Sequence, residues 1–298
     1  MKEKLTTLGE AVTRIPSGSS IAMGGSILRR QPNAVVHELL RRGVKNITLM
    51  AFPSSIAADL LAAAGSLNRF EGIYVGLFWY GLAPNFRRAV QQGQVDVRDF
   101  PESVMVARFR AASMGLTYHP VKALLGTDMA RLNPEQVREI TCPFTGEQYH
   151  AVPPAEADFT IIHGYVGDKY GNVQWPVVRD SDDIDQLIAR AGKRLIVAVE
   201  RIVPHGAIIR RPNLTYIPHS WVEAIVETPF GAHPTACDTF YNEDDDHLRA
   251  YIAAGRDPEH FQAYLSEYVY GVKDHSEYLQ RVGGMEKLAR LRVEGEEW

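Results

Sequence analysis

The feature that most constrains this chain is an alternation of short apolar runs, each stopping at Gly or Pro, with segments of helical spacing. Ser20-Ile21-Ala22-Met23 runs into Gly24-Gly25 and is followed by a helical pattern through Ala34, Val35, Val36, Leu39 and Leu40. An apolar run this short fits a strand buried on both faces, and a helix between two such strands supplies the crossover that parallel pairing needs. Asn46-Ile47-Thr48-Leu49-Met50 repeats the strand, Pro53-Ser54-Ser55 reads as a helix entry, and 56–64 as a helix closed by Gly65. Further strands are expected at 73–77 and 95–97, around a helix over 85–92, and another helix at 104–114. The pattern predicts an α/β fold with a largely parallel sheet covered by helices on both faces.

The texture changes over about 120–155, where Pro120, Pro134, Pro143, Pro153 and Pro154 cut the chain into short pieces, and a small antiparallel excursion is expected. Alternation resumes with a strand at 159–162, a turn at Tyr170-Gly171-Asn172, a helix over 184–191 and an apolar strand at 195–199. Asp180-Ser181-Asp182-Asp183 reads as the cap of that helix, and Glu243-Asp244-Asp245-Asp246 as the cap of another. The segment 222–226 is read as helix, with strand as the alternative. From Glu243 onward the spacing is helical and amphipathic, with Tyr251, Phe261, Tyr264, Leu265, Tyr268 and Tyr270 forming a stripe suited to a core or an interface. The expected division is an α/β domain over 1–240 and a helical C-terminal extension over 241–298, packed on that domain or on a partner.

Charge narrows the partners: 32 Lys and Arg against 36 Asp and Glu give a net −4 with no long basic run, which argues against nucleic acid. No apolar run approaches the ~20 residues of a membrane span, and the charged start Met1-Lys2-Glu3-Lys4 lacks the apolar core of a signal peptide. Cys142 and Cys237 are far apart and lack C-x-x-C spacing, so neither a disulfide framework nor a cysteine zinc site is implied, and a reducing cytoplasm fits.

The chemistry is expected around Gly24-Gly25-Ser26, followed by Arg29-Arg30-Gln31-Pro32. A strand ending in two glycines can bring bare backbone N–H groups against an anionic or polarised oxygen, because glycine allows positive φ and close approach. Arg29 and Arg30 can pair bidentately with a carboxylate or phosphate; the plain alternative is a solvated helix face. Glu102 follows a strand end in Asp99-Phe100-Pro101-Glu102, where it is either an acid pointing into a cleft or a carboxylate at a helix entry. Glu200, beside Arg201, reads as a structural ion pair, and His163 and His233 are the histidines placed to act as bases or ligands. No H-x-x-x-H pair stands beside a third ligand, so no metal site is expected.

With those residues in place the chain resembles the A subunits of family I CoA-transferases, in the glutaconate-type branch. Ile21-Ala22-Met23, Gly24, Gly25 and Pro32 match the family signature in register, while Ser26 and Arg30 stand where the signature usually has Phe and Gly. Gly81-Leu82-Ala83-Pro84-Asn85-Phe86-Arg87-Arg88-Ala89 and Pro229-Phe230-Gly231-Ala232-His233-Pro234-Thr235 are similar to two further motifs of that branch, so the likeness spans roughly 5–280. The resemblance implies a ping-pong transfer of CoA between carboxylic acids, through a glutamyl-CoA thioester on a partner B subunit that carries Ser-Glu-Asn-Gly. No such tetrapeptide occurs here, and the comparable strand end, Ala51-Phe52-Pro53-Ser54-Ser55, has no Glu. It further implies an acyl-CoA thioester as substrate, no permanently bound cofactor, Gly24, Gly25, Ser26, Arg29 and Arg30 as the substrate-binding side, and a hetero-oligomer with the B subunit or a homo-oligomer when alone. Relatives of the same fold that hydrolyse or ring-cleave CoA thioesters from steroid breakdown carry an acid at about the position of Glu102, which makes a hydrolase the alternative. A ligand-sensing module on the same scaffold is the non-enzymatic one.

Overall fold

The computed structural model describes residues 1–177 and 183–293. In chain order the first part carries α1 (Leu8–Val12), β1 (Ser20–Met23), α2 (Asn33–Arg41), β2 (Ile47–Ala51), β3 (Pro53–Ser54), α3 (Ile56–Ala63), β4 (Leu67–Gly72), β5 (Tyr74–Val75), α4 (Pro84–Gln91), β6 (Asp96–Asp99) and α5 (Glu102–Met114). Then come β7 (His119–Val121), α6 (Met129–Leu132), β8 (Arg138–Thr141), β9 (Gln148–Val152), β10 (Ala157–Gly167), β11 (Val173–Gln174), α7 (Asp183–Ile188), β12 (Gly192–Ile202), α8 (His205–Arg210), β13 (Thr215–Ile217) and β14 (Val222–Glu227). The chain finishes in α9 (Asp245–Gly255), α10 (Pro258–Leu265), α11 (His275–Arg281) and α12 (Gly284–Leu291). The proposed cap at Asp180-Ser181-Asp182 lies outside the described residues.

Seven parallel strands run β14-β12-β10-β1-β2-β4-β6, and β11 and β13 extend the sheet antiparallel from β10. Strand alternation decides the layers. Ile21, Met23, Leu49 and Ala51 join the core shared with α2, α3 and the C-terminal helices, whereas Ala22 and Met50 join the core under α5 and α7. The antiparallel excursion is the separate sheet β7-β9-β8, packed against α5. Among the described residues no helix is long and apolar enough to cross a membrane.

Two expectations change. The segment expected to be helical, Val222–Glu227, is a strand paired with β12, with Ala224, Ile225 and Val226 buried. Its six residues, four apolar and two Glu, are ambiguous by periodicity, and pairing beside β12 decided it. The sheet strand expected at 73–77 lies upstream at Leu67–Gly72, masked by Asn68, Arg69 and Glu71; only Tyr74–Val75 is extended, paired with Pro53–Ser54 in a two-stranded sheet of its own. Of the two alternatives read for the aromatic stripe, core or interface, the structure takes the core: Tyr251, Phe261, Tyr264 and Leu265 are buried with α3, and among the stripe residues only Tyr270 is well exposed. Asp59 of α3 ties this packing together, accepting from Asn85 Nδ2 (2.8 Å), Phe86 N (2.7 Å) and the Tyr251 hydroxyl (2.6 Å). Burial holds its carboxyl above the usual range.

Candidate active site

Chain order along the sheet reverses at β1. From β1 the chain steps outward through β2, β4 and β6, then returns to β10 on the other side of β1 and steps away through β12 and β14. In an open parallel sheet such a switch point leaves a crevice at the carboxyl ends of the strands, because the two flanking connections leave in opposite directions. Gly24 and Gly25 sit at the carboxyl end of β1, in that crevice.

The turn is built tightly. Gly24 N–H donates to the Ile161 carbonyl (2.9 Å), and Ser26 and Arg29 exchange backbone hydrogen bonds of 2.8 Å in both directions. Gly25 has φ +86°, and a Cβ there would stand 2.5 Å from the Arg30 carbonyl oxygen, so both conformation and space demand glycine. At Gly24 a Cβ would stand 2.7 Å from Asp185 Oδ1. That carboxylate, from α7, accepts the Gly25 N–H at 2.9 Å and pairs with the Arg30 guanidinium. The anion cradled by the glycine turn is therefore the chain's own Asp185, a residue with no local signal in the sequence.

The sequence-derived residues divide accordingly. Arg30 is 1% exposed and lies over the rings of Tyr165 and Trp175. Arg29 is the outward member, its guanidinium 2.8 Å from Asp238, and Ser26 is half-buried beside it. Glu102 is exposed at the first position of α5, on the same carboxyl edge. Its helix is fixed by a buried pair that the sequence did not reveal: Arg108 Nη2 lies 2.8 Å from Glu71 of β4, with Gln136 donating to the other carboxylate oxygen at 3.1 Å. Ser54 and Ser55, at the strand end without a glutamate, are buried and hold the turn, Ser54 donating to Gln31 (3.2 Å) and Ser55 to the Ile27 carbonyl.

Two motifs some 200 residues apart in sequence are stitched together here. Arg30 N–H donates to the Ala236 carbonyl (2.7 Å) and Ala236 N–H to the Leu28 carbonyl (2.8 Å), so 28–30 lies against the 228–241 loop. That loop is held by Asn33 Nδ2 on the Ala232 carbonyl (2.8 Å) and by Glu200, which accepts from Phe230 N (2.6 Å) and the Tyr241 hydroxyl (2.7 Å). Glu200 is thus in a structural pair as expected, but its partner is His163 (2.6 Å) and not Arg201. The donor atoms of His163, Glu200 and Cys237 lie within 4.8 Å of one another, all buried. His233 is also buried, between the Tyr278 hydroxyl (2.7 Å) and Asp244 (3.0 Å), and burial holds its pKa below the ordinary histidine value. It serves the packing of the C-terminal helices onto the loop.

Because a bulkier residue cannot occupy the turn without moving Arg30, Gly25→Val is expected to cost about 1–3 kcal/mol of stability and to disable any chemistry that depends on the turn's shape. Paired measurement of activity and thermal midpoint checks this, and near-normal activity would show that the turn's shape is not needed.

A parallel sheet with a buttressed glycine turn at its switch point is an open α/β architecture, a class of fold in which ligands are commonly taken at the switch-point crevice. The chain belongs to the Coenzyme A transferase family, which it matches over residues 5–228. It is 37% identical to an uncharacterised protein of Archaeoglobus fulgidus over 98% of its own length, while spanning 65% of that longer protein. With the A subunit of the 3-oxoadipate CoA-transferase of Pseudomonas knackmussii it shares 31% identity, covering 94% of this chain and 98% of that one. The crystal structure of glutaconate CoA-transferase from Acidaminococcus fermentans superposes with a TM-score of 0.91 at 30% identity, covering 97% and 96% of the two chains.

Proposed function

We propose that this chain is the A subunit of an acyl-CoA:carboxylate CoA-transferase whose nucleophile comes from a B subunit. The observation that carries the reading is the nearly end-to-end match to a relative named as the A subunit of such an enzyme. It agrees with the serines, instead of a glutamate, at the strand end beside the turn.

In this reading the thioester carbonyl is attacked by a glutamate carboxylate of the B subunit, forming a mixed anhydride and expelling CoA as thiolate. The thiolate attacks the glutamyl carbonyl of that anhydride, releasing the first carboxylic acid and leaving a glutamyl-CoA thioester; a second carboxylate then reverses the sequence. Splitting one hard transfer into two easier ones is the gain of covalent catalysis. The role of this chain is the rigid wall opposite the nucleophile: the Gly24–Gly25–Ser26 turn shapes the crevice, Arg30 and Asp185 hold it, and Arg29 offers a cation at its mouth. Arg29 is positioned to exchange Asp238 for a substrate carboxylate or a CoA phosphate.

The test is reconstitution. The purified chain alone is expected to show no CoA transfer and to gain it on addition of its B protein; transfer by the single chain, verified free of the B protein, would overturn the assignment. Hydrolysis without transfer by the complex would favour the hydrolase reading and move attention to Glu102.

A further inference from the structure

The loop that follows β5 leaves three large apolar side chains in water. Phe78, Trp79 and Leu82 are 55%, 70% and 58% exposed, and the rings of Phe78 and Trp79 stack nearly parallel, 5.6 Å apart. Phe78 sits at φ +48°, a left-handed conformation that a bulky side chain adopts only under constraint. The constraint is visible. Leu77 N–H donates to the Gly81 carbonyl (2.8 Å) and Gly81 N–H to the Phe78 carbonyl (3.0 Å), while Gly76 and Leu82 pair across the loop. Leu77 and Ala83 are buried at its base, and the Tyr80 hydroxyl donates to Asp245 of α9 at 2.7 Å. The fold holds two large aromatic rings in fixed positions in water, in a backbone conformation that costs energy.

We infer that the Phe78-Trp79-Leu82 knob is an anchor for docking of the B subunit over the carboxyl edge of the sheet. The inference rests on the two-subunit reading above and deepens it by naming the surface. The knob follows the short β5, a few residues beyond β4, whose carboxyl end lies at the same edge as the glycine turn, where a partner supplying the nucleophile has to sit. Rigid, preordered aromatic residues are what interface hot spots are made of, because little ordering cost remains at association and each ring buries a large apolar area. The competing occupant is the adenine of a CoA molecule, and charge argues against it. The rim next to Tyr80 carries Asp245 paired with Arg249 at 2.7 Å, while the buried Asp244 is paired with Lys287; Glu243 and Asp246 leave the margin net acidic, which disfavours the phosphates attached to the adenosine. A protein surface with an apolar pocket and a basic margin is the matching partner.

The experiment uses the full chain carrying Phe78→Asn and Trp79→Ser, the first chosen because Asn tolerates the left-handed region. Association with the B protein is followed by sedimentation or surface binding, alongside the thermal midpoint of the variant chain alone and acyl-CoA binding by the complex. The dissociation constant is expected to rise about 100-fold or more, on the scale of losing hot-spot aromatics, with the midpoint of the variant chain essentially that of the native one. Unchanged association would overturn the inference while leaving the two-subunit reading intact. Normal association with weakened acyl-CoA binding would also overturn it, marking the knob as a ligand platform. If the native chain itself fails to bind the B protein, the two-subunit reading falls and this docking surface falls with it.

Discussion

Substituting Asp185 by alanine is expected to destabilise the chain by about 3–5 kcal/mol, the scale for breaking a buried ion pair by removing one partner. Asp185 is fully buried, its Oδ1 accepts the Gly25 N–H at 2.9 Å, and its Oδ2 pairs with an Arg30 that is itself 1% exposed. Removal takes away a charge partner and a backbone acceptor together, at a point where Gly24 has made room for them. Asp185→Asn keeps an oxygen for Gly25 but not the charge, so it is expected to fall between the native chain and the alanine variant. Urea unfolding of the three proteins measures the order. If the alanine variant lies within about 1 kcal/mol of native, below the usual cost of an unsatisfied buried group, the carboxylate is not what fixes the turn. If the turn is the substrate wall of the two-subunit enzyme proposed above, the same variants are expected to lose turnover in the assembled complex.

The second large effect is acid sensitivity. His37, His233 and His247 are 1%, 1% and 5% exposed, and burial is the leading cause that lowers the pKa of each. The positive charges facing them, Arg41 toward His37 and Lys287 toward His233 and His247, push the same way. Asp244 opposes the shift, bonding to His233 and lying 2.7 Å from Lys287, and its own carboxyl is held low. A histidine whose pKa is lower folded than unfolded binds fewer protons in the native state, so its contribution to stability is complete above the ordinary value of about 6.5. It is lost as the pH falls below that value, toward the folded pKa. With three such groups the slope approaches about 4 kcal/mol per pH unit, taking 1.36 kcal/mol for each proton. Asp244 adds to the loss only at lower pH, since its depressed pKa gives stability that disappears below the carboxylate range. Urea midpoints at pH 7.5 and 5.5 test this: a flat profile would mean that the cluster takes up no protons on unfolding. His37 offers the sharper check, because neither ring nitrogen has a hydrogen-bond partner and the ring packs edge-on against Tyr278 at 4.7 Å. His37→Leu is expected to cost little at pH 7.5 and to flatten the acid limb.

Much of the fold was legible in the sequence, for a physical reason. Strands covered on both faces must be apolar throughout, so 20–23, 47–51 and 195–199 announce themselves, and glycine is nearly obligatory at positions such as Gly25 and Gly171 where φ is positive. Leu67–Gly72 was illegible because it carries Asn68, Arg69 and Glu71, with Glu71 made acceptable inside only by Arg108, 37 residues further on. Val222–Glu227 was ambiguous because six apolar-rich residues satisfy either period, and the free edge of β12 chose strand. For the site, the sequence by itself determined the glycine turn, the arginines and serines around it, the absence of a local glutamate and the motif in the 228–241 loop. Only the tertiary structure decided that Arg30 turns inward, that Asp185 fills the cradle, that Glu200 answers His163, and that Phe78 and Trp79 are left standing in water. Those outcomes depend on which groups are brought within about 3 Å across 30 to 200 residues of chain, and hydrogen-bond partners at that separation leave no periodic trace in the sequence.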